Sequence, residues 1–112
     1  MKIFIAFCTL FISISLNAQL SGDVVQDGRE LKKSGPFVIE GNHTGKVVFD
    51  ISVNPLGVIT GFKVNQQETT IKSTPTQISA RKHISEWRFE PGTHFPQYHQ
   101  GKIIITVVKP ID

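Results

Sequence analysis

The chain has 112 residues, with 12 Lys and Arg against 9 Asp and Glu, a net charge of +3. That length suits one domain with one modest core, and the charge is too small and too scattered for the basic stripe of a nucleic-acid binder. The only cysteine, Cys8, excludes an internal disulfide framework.

Met1-Lys2 is a short basic start, and Ile3 to Leu16 is apolar apart from Thr9, Ser13 and Ser15. Asn17-Ala18-Gln19 follows with a small residue at a cleavable position. The pattern predicts a secretory signal peptide over residues 1–18, cut between Ala18 and Gln19. The apolar stretch is about 14 residues where a spanning helix needs roughly 20, so an uncleaved membrane anchor is the alternative. Cleavage removes Lys2 and Cys8, which leaves no thiol and drops the net charge by one.

Residues 19–44 show no sustained period and are punctuated by Gly28, Gly35, Pro36 and Gly41. They read as an arm with one short extended piece at Phe37-Val38-Ile39. Residues 46–53 alternate, with Val47, Phe49, Ile51 and Val53 on one face, which predicts a half-buried strand. Asn54-Pro55-Leu56-Gly57 has proline and glycine where a tight turn uses them. Residues 58–64 resume the alternation with Val58, Phe62 and Val64 on one side. The segment 46–64 is therefore a β-hairpin.

After a polar loop over 65–74, Thr74-Pro75 signals helix entry, with threonine able to cap. The helix runs from Pro75 to about Trp87 and places Ala80, Ile84 and Trp87 on one face, while Ile78 lies off that stripe and is expected to pack on the loop or the arm. Phe89 then turns in again in extended geometry, and Pro91-Gly92 ends the segment. Residues 93–100 read as a loop. The last element, 102–109, is rich in β-branched residues and predicts a strand apolar on both faces. The class is α+β: a small antiparallel three-stranded sheet, hairpin 46–53/58–64 plus strand 102–109, with one helix across one face.

The hairpin residues Gly45, Val47, Phe49, Ile51, Val53, Gly57, Ile59 and Val64, the run Ala80, Ile84, Trp87, Phe89, Pro91, and the Gly101-led strand 103–108 together resemble the C-terminal domain of TonB energy transducers. The resemblance covers about residues 45–109, and assigns 45–112 to a TonB C-terminal-like domain behind the arm 19–44. It implies a periplasmic, non-enzymatic protein-binding module in outer-membrane transport. Such a module docks the plug segment of a TonB-dependent outer-membrane receptor by adding it to a sheet edge. The membrane helix and long proline-rich spacer of those transducers have no counterpart here, so the chain resembles a short form; retention of the signal would leave it anchored in the inner membrane.

The edge predicted to take the peptide is Ile103, Ile104, Ile105, Thr106, Val107, Val108 and Lys109. As the last strand it can lie at the rim with free N–H and C=O groups. Three occupants are open to it: a partner peptide, a second copy in a homodimer or assembly, or the chain's own arm. Ala80, Ile84, Trp87, Phe89 and Pro91 read as core-forming rather than as a site. His94 and His99 share one loop, yet no third ligand is placed by spacing where zinc needs three or four, so both read as solvated loop histidines. No nucleophile elbow, paired carboxylates or phosphate loop is present. The sequence therefore predicts no enzyme, no cofactor, no metal and no small-molecule substrate.

Overall fold

The computed structural model describes residues 19–110. The signal-peptide reading of residues 1–18, including Ala18, lies outside them. In chain order the elements are β1 (Leu20–Ser21), α1 (Asp23–Gln26), β2 (Leu31–Lys33), β3 (Val38–Glu40), β4 (Gly45–Val53), β5 (Ile59–Val64), α2 (Thr74–Ser85), β6 (Arg88–Phe89) and β7 (His99–Val108). The α+β class holds, but the sheet is larger than three strands. A five-stranded sheet runs in the order β1–β7–β4–β5, with β3 also on β7, and β2–β6 forms a separate two-stranded sheet. All pairs are antiparallel except β3–β7, which is parallel.

The hairpin is built as its alternation requires, with one change. A register shift between Ser52 and Val53 sets Val53 opposite Ile59. Ile59, rather than Val58, is thereby buried in the core, with Phe62 and Val64 packed at its margin. A bulge of this kind inserts one residue and reverses the face on which the next residues alternate. The turn is closed by Gly57 N–H to the Asn54 carbonyl and by Val58 N–H to Asn54 Oδ1, at 2.9 and 3.0 Å. Gly57 has φ +87, and a Cβ there would sit 2.1 Å from the Phe89 carbonyl oxygen. Glycine is thus required both for the left-handed backbone and for the approach of β6. The Phe89 N–H donates to the Gly57 carbonyl and the Gly92 N–H to the Pro55 carbonyl, each at 2.8 Å. The glycine turn and the Trp-x-Phe-x-Pro segment, about 30 residues apart in sequence, are two halves of one contact.

Helix α2 ends two residues before Trp87, and Ser73, not Thr74, precedes its first turn, with no side-chain cap bond. Ala80 and Ile84 are fully buried, and Trp87, just past the helix, is 2 % exposed. Phe89 joins them at 1 %. With Val47, Phe49, Ile51, Ile103, Ile105 and Val107 they form a single core between the helix and the sheet. Ile78, off the buried stripe, is half exposed. Strand β7 begins three residues earlier than its apolar run suggests, because His99 and Gly101 continue the inward alternation.

The arm is largely structured. Val24 of α1 is fully buried and lies against Gly101, where a Cβ would come within 2.9 Å of Val24 Cγ2. The missing side chain on β7 is the space that α1 fills.

Candidate strand-docking edge

Strand β7 is central, not peripheral. On one side it pairs with the whole of β4, from Gly45↔Val107 to Val53↔His99. On the other, β1 pairs Leu20↔Ile103 and Ser21↔Lys102, and β3 pairs Val38↔Thr106, Ile39↔Val107 and Glu40↔Val108. The free rim expected at Ile103–Lys109 is therefore occupied by the chain's own arm. The sequence hid this because main-chain pairing leaves little trace in residue type when the covering strands have two and three residues. Lys109 lies beyond the strand end and is exposed.

The two covering strands are unequally held. The part of the arm around α1 and β2 is anchored by Val24, by the β2–β6 pair and by Arg29. Strand β3 is lighter. Its side chains alternate exposed, half-buried, exposed, and Val38 is 45 % exposed. The Thr106 N–H donates to the Phe37 carbonyl and the Gly41 N–H to the Val108 carbonyl, both at 2.9 Å. Its remaining anchors are an edge-to-face contact of Phe37 with Trp87 at 5.0 Å and His83 Nε2 at 2.7 Å from the Pro36 carbonyl. Between the two strands, Ile104 and Ile105 fall in neither register. Beside the arm lies an open groove of about 570 Å³ lined chiefly by Leu20, Val25, Arg29, Leu31 and Phe37.

Arg29 is 3 % exposed. Its Nε donates to the Glu90 carbonyl at 2.7 Å and Nη2 to the Asn54 carbonyl at 2.7 Å. Nη1 lies 3.1 Å from His99 Nδ1, and the Phe95 ring lies 4.1 Å beneath the guanidinium. Because arginine has no acceptor, His99 Nδ1 accepts, so Nε2 carries the proton and donates to Asp27 Oδ2 at 2.7 Å. Burial pulls the Arg29 guanidinium below its ordinary value, opposed by the Glu90 carboxylate; arginine stays charged regardless. His99 is thus a buried structural residue, not a solvated loop histidine, while His94 is exposed and packs at a tilt against Phe95, ring centroids 4.1 Å apart. Among the described residues no group of three His, Cys, Asp or Glu is placed to hold a metal. Sequence reading missed Arg29 altogether; a lone arginine before a basic pair reads as surface.

The far side of β4 is covered by β5 and then by the loop that follows it. The Asn65 N–H donates to the Val48 carbonyl at 2.8 Å, and the Val48 N–H to Thr69 Oγ1 at 2.9 Å. Glu68 ties this loop to β7 through Lys102 at 2.6 Å. Bonding to Lys102 holds the Glu68 carboxyl below its usual range and raises the Lys102 ammonium above its own. A depressed carboxyl contributes only above its unfolded value and loses that contribution as pH falls through the folded one; a raised ammonium loses its contribution as pH rises through its folded value. The tether therefore holds at neutral pH and opens at both extremes. Amide NMR shifts of Asn65–Thr69 should move in acid, and Lys102→Gln should move the midpoint of that titration up toward the ordinary carboxyl range. The stability change stays small because both groups are solvent-screened.

No protein-family model, curated protein or solved structure matches the chain. The TonB likeness accordingly rests on the sequence pattern alone. Among the described residues no helix is long and apolar enough to cross a membrane.

Proposed function

We propose that the chain is a non-enzymatic, exported module of the TonB C-terminal type that binds an extended segment of an outer-membrane receptor by strand exchange on β7. The observation that carries this reading is that the outer rim of β7 already holds extended chain in both directions, antiparallel at β1 and parallel at β3. A rim with that capacity suits recognition through main-chain hydrogen bonds, with side-chain pockets setting specificity. The incoming segment replaces β3, the lighter of the two covers, while α1 and β2 keep the arm attached. Three residue pairs are lost and regained, at about 1 kcal/mol net per hydrogen bond. Occupancy of the rim by β3 lowers the apparent affinity by the fraction of molecules in which it is open.

A locked and an opened variant test this. Val38→Cys with Thr106→Cys joins register neighbours and, once oxidised, should abolish binding of receptor plug peptides in isothermal titration, with recovery on reduction. Ile39→Pro removes a main-chain donor from the middle of β3 and should tighten binding several-fold by opening the rim. Equal affinity in both variants would exclude exchange at this rim.

A further inference from the structure

We propose that the partner-protein segment taken up on β7 runs parallel to it and is read through the spaced pattern Gly-x-aromatic-x-aliphatic-x-Gly, a reading that rests on the exchange proposed above. The chain's own Gly35–Gly41 now fills that pattern, and the contacts it makes define each position. In an extended segment alternate side chains face the same way. Phe37 meets Trp87 edge-on at 5.0 Å, and Ile39, in register with the fully buried Val107, packs against the core. Val38 is 45 % exposed and Glu40 is exposed, so the site is indifferent to both. The flanking positions leave no room for a side chain. A Cβ on Gly41 would lie 2.8 Å from Val107 Cγ1, and one on Gly35 2.9 Å from His83 Cε1. Val107 is locked in the core, and the His83 ring is held by Trp87 and by the Pro36 carbonyl. The Gly41 N–H donates to the Val108 carbonyl, so proline is excluded there as well.

A free segment competes with a strand on the same chain, whose effective concentration is on the order of millimolar. It wins only through contacts that β3 does not make, and the space for them lies at both read positions. The groove of about 570 Å³ has Phe37 as one wall and Leu20, Val25 and Leu31 among the others. A second crevice, of about 150 Å³, separates β3 from the head of α2 and is lined by Ile39, Gly41, Pro75, Thr76 and Ser79. A larger ring at the position of Phe37 extends into the groove, and an unbranched methionine at that of Ile39 reaches into the crevice; both bury apolar area that β3 leaves open. The partner segment that fits best is therefore Gly-x-Trp-x-Met-x-Gly. A second copy of the chain brings the same Phe37 and Ile39 and gains no contact over the strand already in place.

The test is titration of the full chain carrying Ile39→Pro, which opens the rim, with synthetic peptides of residues 34–42, followed by calorimetry and by amide NMR of Thr106–Val108. The peptide bearing Phe37→Trp and Ile39→Met should bind about tenfold more tightly than the unaltered one. Phe37→Ala, Ile39→Ala or Gly41→Val in the peptide should each weaken binding about tenfold or more, whereas Val38→Thr with Glu40→Gln should change it less than about twofold. Binding at Thr106–Val108 that is equal for all these peptides and for a scrambled one would overturn the pattern and leave strand exchange standing. Absence of binding by every peptide, receptor plug peptides included, would overturn both. An Ile39→Pro dimer in sedimentation that the enlarged peptide does not dissociate would make a second copy the occupant and likewise overturn the proposal.

Discussion

Trp87→Ala should lower the unfolding free energy by about 3–5 kcal/mol, as large-to-small changes at a buried aromatic do. At about 4–8 °C per kcal/mol for a domain of this size, the thermal midpoint falls by more than about 10 °C. The ring is 2 % exposed, closes the core at the end of α2, and receives Phe37 at 5.0 Å and His83 at 5.7 Å, both edge-on. Its loss therefore removes apolar burial and also the principal side-chain anchor of β3. Far-UV circular dichroism is the suitable probe, since Trp87 is the only tryptophan. A drop below about 1 kcal/mol would mean that the core collapses around the gap and that the corner is not its keystone. If the exchange at β7 operates, milder Trp87→Phe should loosen β3, visible as faster amide exchange at Ile39 and Gly41 before any global loss.

Arg29→Met should cost on the order of 3 kcal/mol, from three acceptors left unpaired at roughly 1 kcal/mol or more each. The methionine stem retains much of the packing, which isolates the polar loss. The acceptors are the Glu90 and Asn54 carbonyls and His99 Nδ1, and they belong to β6's extension, the hairpin turn and β7. One side chain thus joins the arm to three distant parts of the chain. The distinctive readout is His99: without a donor facing Nδ1 its tautomer is no longer fixed, and its ring nitrogen shifts in NMR should show a mixture. Arg29→Lys should fail to rescue, because a single ammonium cannot reproduce the fork. Unchanged stability and an unchanged His99 spectrum would refute the account of this cluster.

The central hairpin, the main helix and the Trp-Phe corner were legible because each is written as a local pattern: alternation over 46–53, a Pro-Gly turn, and apolar residues at helical spacing. The place of the last strand was not. Its apolar character on both faces was plain, but what lies beside it is decided by main-chain pairing with β1 and β3, short strands with no periodic context. Val24 and Arg29 were equally opaque. Their partners Gly101, Glu90 and His99 lie more than 60 positions away, and a single buried residue in a polar stretch carries no period to read. His99 looked solvated for the same reason: its donor and its acceptor, Arg29 and Asp27, both come from the arm.

That the axis of the sheet is its last-made strand has a kinetic meaning. Pairings with β1, β3 and one whole side of β4 all wait for residues 99–108, so ordering must span most of the sequence before it is rewarded, a topology that folds slowly. While those ten residues are still being synthesised or threaded, the preceding chain has no completed sheet to settle into. A chain wired in this way stays loose until residues 99–108 are free to pair.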